Sequence, residues 1–187
     1  MKIEIDTIKV TQPIGDFFYG KINAELLYQI AEADVRRLED EDREIESYLG
    51  IQRPLKKNRV NEINDYITTI DATFPNSIIV AINEDDDIDV TWADNKLTIE
   101  FPDEKKTKIA NILDGQHRLA GFNKESFKFE DFDGEERDFE LLVTIFLNAD
   151  MSVQAKVFSM VNQNQTKVNK SLVYDLESLS KSRSPWR

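Results

Sequence analysis

The sequence predicts a mixed α+β domain in which a mixed sheet is flanked by helices. Three observations carry that expectation. Apolar residues alternate with polar ones near the start, as in a half-buried strand. Apolar residues recur at helical spacing in several other stretches. Strand-like and helix-like stretches then interleave to the end of the chain. The length of 187 residues suits one domain, and a hydrophobic fraction of 40% is enough for a core.

Residues 2–10 alternate Ile3, Ile5, Ile8 and Val10 with polar residues and predict a strand. Residues 12–20 hold Pro13, Gly15 and Gly20 and predict a turn-rich connection. Asn23 is the expected cap of a helix whose apolar face is Leu26, Leu27 and Ile30. The charged stretch 34–48 either continues that helix or forms a surface segment. A second helix is expected over 59–70, from the spacing of Val60, Ile63, Ile67 and Ile70. Phe74, Pro75 and Asn76 turn the chain into a strand over 78–82. A hairpin follows, with strands at 89–92 and 96–101 around Ala93, Asp94 and Asn95.

A strand over 108–113 leads to Asp114 and Gly115, and a helix over 116–123 should begin at once. Residues 129–139 predict a loop or a second hairpin, and 141–147 a buried strand. Asp150 or Ser152 caps a helix with Val153, Val157, Met160 and Val161 inside. The amides Asn162, Gln163, Asn164 and Gln165 are expected to interrupt it, with a last helix from Ser171. Residues 1–172 are expected to form the domain, and 173–187 to begin a truncated C-terminal helical region.

Composition excludes several chemistries. There is no cysteine, hence no disulfide, thiolate zinc site or cysteine nucleophile. A single histidine rules out a multi-histidine metal site within one chain, while a carboxylate magnesium site stays open. The start, MKIEIDTIKV, is not a signal peptide, and no apolar run approaches the ~20 residues that span a bilayer. A soluble, cytoplasmic protein with no membrane partner is expected. The net charge of −12 opposes nucleic-acid binding through the overall field, so any such contact needs a local basic patch. Lys56, Lys57 and Arg59, close after Arg53, form the dense one and are candidate nucleic-acid contacts, as are Lys167 and Lys170. They read equally as a solvated loop. The acidic runs 85–87 and 131–133 read as surface carboxylates rather than a metal site.

The turn Asp114-Gly115-Gln116-His117-Arg118 is the candidate site. Glycine tolerates an unusual backbone angle and lets a ligand come close. The N–H groups of a first helical turn lack helical partners and suit a phosphate. Arg118 adds a fork of donors, and His117 one donor or a titratable group. Asp114 can cap the helix, hold Arg118 or help place a metal. The same residues also read as a plain cap, a satisfied histidine and an ion-pair partner. The sequence has no GxxxxGK[ST], GxSxG or HExxH motif.

Residues 114–118 match the motif of the DGQHR-domain family, which includes DndB of bacterial DNA phosphorothioate modification. Gln52, Arg53 and Pro54 resemble its early box, and FSMVNQNQTKVNKSL at 158–172 its later segment. The resemblance covers about residues 51–172. Such domains are similar, more distantly, to the ParB/sulfiredoxin superfamily, where a glycine turn with a His-Arg or Arg-Arg pair grips nucleotide phosphates. That likeness puts Gly115, His117 and Arg118 on phosphate positions and Arg53, with Gln52, beside them. Gln116 stands where sulfiredoxins carry their catalytic cysteine, which excludes sulfur-reducing chemistry but leaves a hydrogen bond to a phosphate or base. Asn162, Asn164 and Gln165 fall in a segment that closes over the nucleotide there.

The resemblance implies a DNA-associated regulator of a modification or phage-defence system with a phosphate or nucleotide site at the turn. A weak NTPase using Arg118, His117 and magnesium is the alternative, followed by a ParB-like nuclease and a protein-interaction scaffold. The implied partners are a nucleotide with magnesium, DNA (through a C-terminal region beyond this chain), modification-system proteins and further copies of the chain.

Overall fold

The computed structural model describes residues 1–32, 55–85, 87–102 and 108–163, with the backbone alone at 162 and 163. Strands β1 (Lys2–Gln12) and β2 (Gly15–Asn23) form a hairpin, followed by helix α1 (Ala24–Ile30) and the short β3 (Ala31–Glu32). Helix α2 (Lys57–Ile67) leads to β4 (Ile78–Ile82), β5 (Asp89–Ala93), β6 (Lys96–Glu100) and β7 (Ala110–Asp114). Helix α3 (Gln116–Ala120), the small hairpin β8 (Lys128–Glu130) and β9 (Glu136–Asp138), β10 (Glu140–Leu147) and α4 (Met151–Gln163) complete the described chain. This is the expected α+β class with a mixed sheet.

Eight strands join in the order β3-β7-β4-β10-β2-β1-β6-β5. β4 runs parallel to β10 and β3 parallel to β7, and the other pairs are antiparallel. β1 divides its pairing: Lys2 to Asp6 face β6, while Thr7 to Gln12 face β2. Its length follows from serving both partners.

Side chains alternate across the strands and separate two cores. Ile78, Val80 and Ile82 of β4 and Val143 and Ile145 of β10 join the larger cluster with Leu27 and Leu119. Ala81, Phe146 and Leu113 point the other way and meet Val157, with Val153 and Val161 beside them. α4 therefore covers one face, and α1, α2 and α3 cover the other.

Several expectations hold in detail. Asn23 Oδ1 accepts from Glu25 N at 2.8 Å and Leu26 N at 3.4 Å, capping α1. Asp150, rather than Ser152, caps α4, its Oδ1 accepting from Val153 N at 2.8 Å. Asp94 and Asn95 turn the β5–β6 hairpin with φ of 51° and 60°, a conformation Asp and Asn tolerate well. Residues 129–139 hold the second hairpin.

Others are corrected. Residues 12–20 are mostly strand: only Pro13 and Ile14 make the turn, and Gln12 pairs with Gly15. β2 lies between β10 and β1, so its two ladders outweigh the local turn composition. α2 ends at Ile67, because the Thr68 and Thr69 hydroxyls donate to Asp65 O and Tyr66 O at 2.8 and 2.7 Å. Ile70 consequently lies outside the helix and is 88% exposed. α3 stops at Ala120, and Asn123 Oδ1 takes the Glu125 and Ser126 N–H groups in a local turn. Met160 faces outward, and α4 runs through Asn162 to Gln163. The stretch 34–48, the helix from Ser171 and the region 173–187 lie outside the described residues.

Candidate functional site

β7 delivers the chain to the turn through a bulge. Val80 pairs with Ile112 and Ile79 with Asp114, so Leu113 is the extra residue. Such insertions re-aim the side chains that follow them. Gly115 then takes φ 94° and ψ 11°, the left-handed conformation. A Cβ there would lie 3.0 Å from both Arg118 Nη2 and Ile78 Cγ1. The position therefore requires glycine for its angle and for its neighbours.

Arg118 folds back across this turn. Its Nη1 donates to Asn76 O at 2.5 Å, and its Nη2 to Ser77 O at 2.9 Å and Asp114 Oδ2 at 3.2 Å. The side chains of Arg118 and Asp114 are only 19% and 22% exposed. Burial lowers the Arg118 pKa and the Asp114 carboxylate opposes that shift, so the guanidinium stays charged. Asp114 thus holds Arg118 and does not cap α3, whose cap residue Gly115 has no side chain to offer. With five residues, α3 also sums few peptide dipoles, which limits its pull on an anion.

His117 ties the turn to the basic segment. Its Nε2 accepts from Lys56 N–H at 3.2 Å across 61 residues of sequence. Burial, and then the charges of Arg59 and Lys56, lower its pKa from the ordinary 6.5. A protonated ring cannot accept this bond. The unfolded chain therefore binds the proton more readily, and the stability contribution, complete above about pH 6.5, is lost as pH falls through the lowered value. We expect the melting temperature of the wild type to fall below pH 6.5 relative to His117→Gln, whose amide oxygen accepts without titrating. Parallel profiles between pH 5 and 8 would show that the histidine carries no such coupling.

These groups open into a cleft of about 730 Å³. Residues 114–118 form one wall, Arg59 and Ile63 of α2 another, and Pro75, Asn76 and Ser77 the approach to β4. Tyr19, Ile79, Leu113, Phe158 and Val161 supply an apolar side. Lys56, Lys57 and Arg59 are exposed, and they border an adjoining surface hollow. The structure thus joins Asp114, Gly115, Gln116, His117, Arg118 and Arg59 in one cleft, with Lys56 and Lys57 at its side. Asn162 lies in the last turn of α4, described by its backbone alone. Gln52, Arg53, Asn164, Gln165, Lys167 and Lys170 lie outside the described residues.

Sequence reasoning missed Tyr19, Asn76, Ser77 and Val161 as cleft residues. Tyr19 sat in a stretch that looked like a turn, and Asn76 and Ser77 act through backbone carbonyls, which carry no residue signal. Asp114 is the one acidic residue on the described cleft wall and is bonded to Arg118. Among the described residues no three His, Asp or Glu groups gather to hold a metal. Nor is any described helix long and apolar enough to cross a membrane.

Fold and site together define a mixed α+β domain that presents a strand–glycine–helix turn into a cleft lined partly by polar and partly by apolar residues. The family model for DndB, described as DNA-sulfur modification-associated, matches residues 11–182, nearly the whole chain. The chain belongs to the DndB family, and its setting is DNA phosphorothioate modification. No curated protein and no solved structure matches it.

Proposed function

We propose that this chain is a DNA-associated regulator of the modification system whose cleft at residues 114–118 binds a phosphate-bearing ligand, a nucleotide first among them. The observation that carries this reading is the meeting of two segments distant in sequence. α2 brings Arg59 to the same cleft as Gly115, Gln116 and His117. Arg59 is exposed, whereas Arg118 is held by the protein's own carbonyls. Arg59 is therefore the cation available to an incoming phosphate, in the same cleft as the Gly115 turn. The cleft supports binding better than turnover, since its described acidic residue is engaged by Arg118.

DNA association fits the same region on a smaller scale. Lys56, Lys57 and Arg59 make a local cationic edge on a body of charge −12, so any affinity should fall steeply with salt.

Calorimetry and thermal shift against ATP, GTP and CTP, with and without magnesium, test the reading. A ligand that binds the folded state raises the melting temperature by mass action. Arg59→Ala is expected to weaken binding by about ten-fold, the scale of one charge-assisted hydrogen bond, while leaving the unliganded melting temperature nearly unchanged. No response to any nucleotide, or equal binding by Arg59→Ala, would remove the proposal.

A further inference from the structure

The cleft lining combines two chemistries: Arg59, His117 and the turn at Gly115 are its polar part, and Ile79, Leu113 and Val161, with the ring of Tyr19, its apolar part. The apolar part continues the smaller core: Ile79, Leu113 and Val161 belong to it, together with Phe17. Tyr19 follows Phe17 by two positions on β2 and so projects from the same face of the sheet. It is half-buried, and among the described residues no other ring packs against it.

A bare phosphate would engage Arg59 and leave the apolar part of the lining unused. A volume of about 730 Å³ is that of a pocket for a whole small molecule. An aromatic residue lining the same cleft as Arg59 and Gly115 matches a flat, apolar group carried on an anion.

We infer that the cleft takes one complete nucleotide unit, with its base on Tyr19 and its phosphate towards Arg59 and Gly115, and that Tyr19 selects base-bearing ligands over simple phosphates. This rests on the phosphate reading above and adds a selectivity residue to it. The unit can come from a free nucleotide or from a single DNA strand, since both present the same base and phosphate.

The test compares tripolyphosphate with ATP, GTP, CTP and UTP, which carry the same anionic chain with and without a nucleoside. Calorimetry on the full chain should show at least one nucleotide binding about ten-fold more tightly than tripolyphosphate, within the range of stacking on one ring. Tyr19→Leu, which keeps an apolar wall, should remove that preference and leave tripolyphosphate binding unchanged. Tyr19→Phe should retain it. A single-stranded octadeoxynucleotide in the same titration distinguishes the sources: the tighter ligand names the source, and Tyr19→Leu must weaken it in either case. If tripolyphosphate binds, depends on Arg59 and is matched by every nucleotide, the base inference falls while the phosphate reading stands. If nothing binds, both fall.

Discussion

Arg118→Ala is expected to lower the stability of the chain by about 3 kcal/mol, or about 6–12 °C in melting temperature for a domain of this size. The substitution deletes three donated bonds at once, to Asn76 O, Ser77 O and Asp114 Oδ2. It leaves a mostly buried carboxylate without its counter-charge, and an unpaired buried group costs more than the bond it lost was worth. The loop before β4 and the turn after β7 are joined through this one side chain, so both should loosen together. Thermal melts, read beside hydrogen exchange at residues 76–78 and 114–116, check the expectation. Arg118→Lys should recover only part of the loss, because one ammonium cannot reproduce the planar fork. An unchanged melting temperature in Arg118→Ala would mean that these bonds contribute little. Loss of ligand binding in this variant would report the collapse of the turn as much as any contact with phosphate, which is why Arg59 is the better probe of the cleft.

The second large effect is expected at Gly121, just past α3. A Cβ at this position would lie 2.4 Å from Ile63 Cγ2 and 3.0 Å from Ile63 Cβ, far inside contact distance. Here α2 and α3 meet almost backbone to side chain, and Asn64 Nδ2 donates to Gly121 O at 2.8 Å. Gly121→Ala should therefore push the helices apart at a cost of about 1–3 kcal/mol, the usual range for overpacking. Arg59 sits one turn before Ile63 on α2, so nucleotide affinity should fall with stability. Ile63→Ala removes the clashing methyl, and the Gly121→Ala/Ile63→Ala double variant should lose less than the two single variants summed. Strict additivity of the two melting-temperature changes would contradict the contact.

Much of this fold was legible because its signals are local. The Asn23 cap, the β4 strand at residues 78–82 and the β5–β6 hairpin each depend on neighbours within a few residues, and sequence pattern reports those directly. The junction of β7 with α3 was legible for the same reason, since an apolar run, a glycine and a helix-forming stretch are adjacent in the chain. β2 was misread because its strand character comes from two flanking ladders, whereas Pro13, Gly15 and Gly20 speak for a turn. The end of α2 was misread because the threonine hydroxyls compete with the helix where the apolar spacing still continues to Ile70.

By itself the sequence determined the fold class, the strand–glycine–helix turn and, through its motif, the family. Local periodicity and the angle that Gly115 must adopt are written in consecutive residues. Only the tertiary structure decided what each charged group at the turn does. Arg118 meets carbonyls 41 and 42 residues away, His117 meets a backbone N–H 61 residues away, and Tyr19 reaches the cleft from the other end of the chain. Such partners are chosen by how the sheet and helices pack. Packing, unlike periodicity, is a property of the whole chain rather than of any stretch of it.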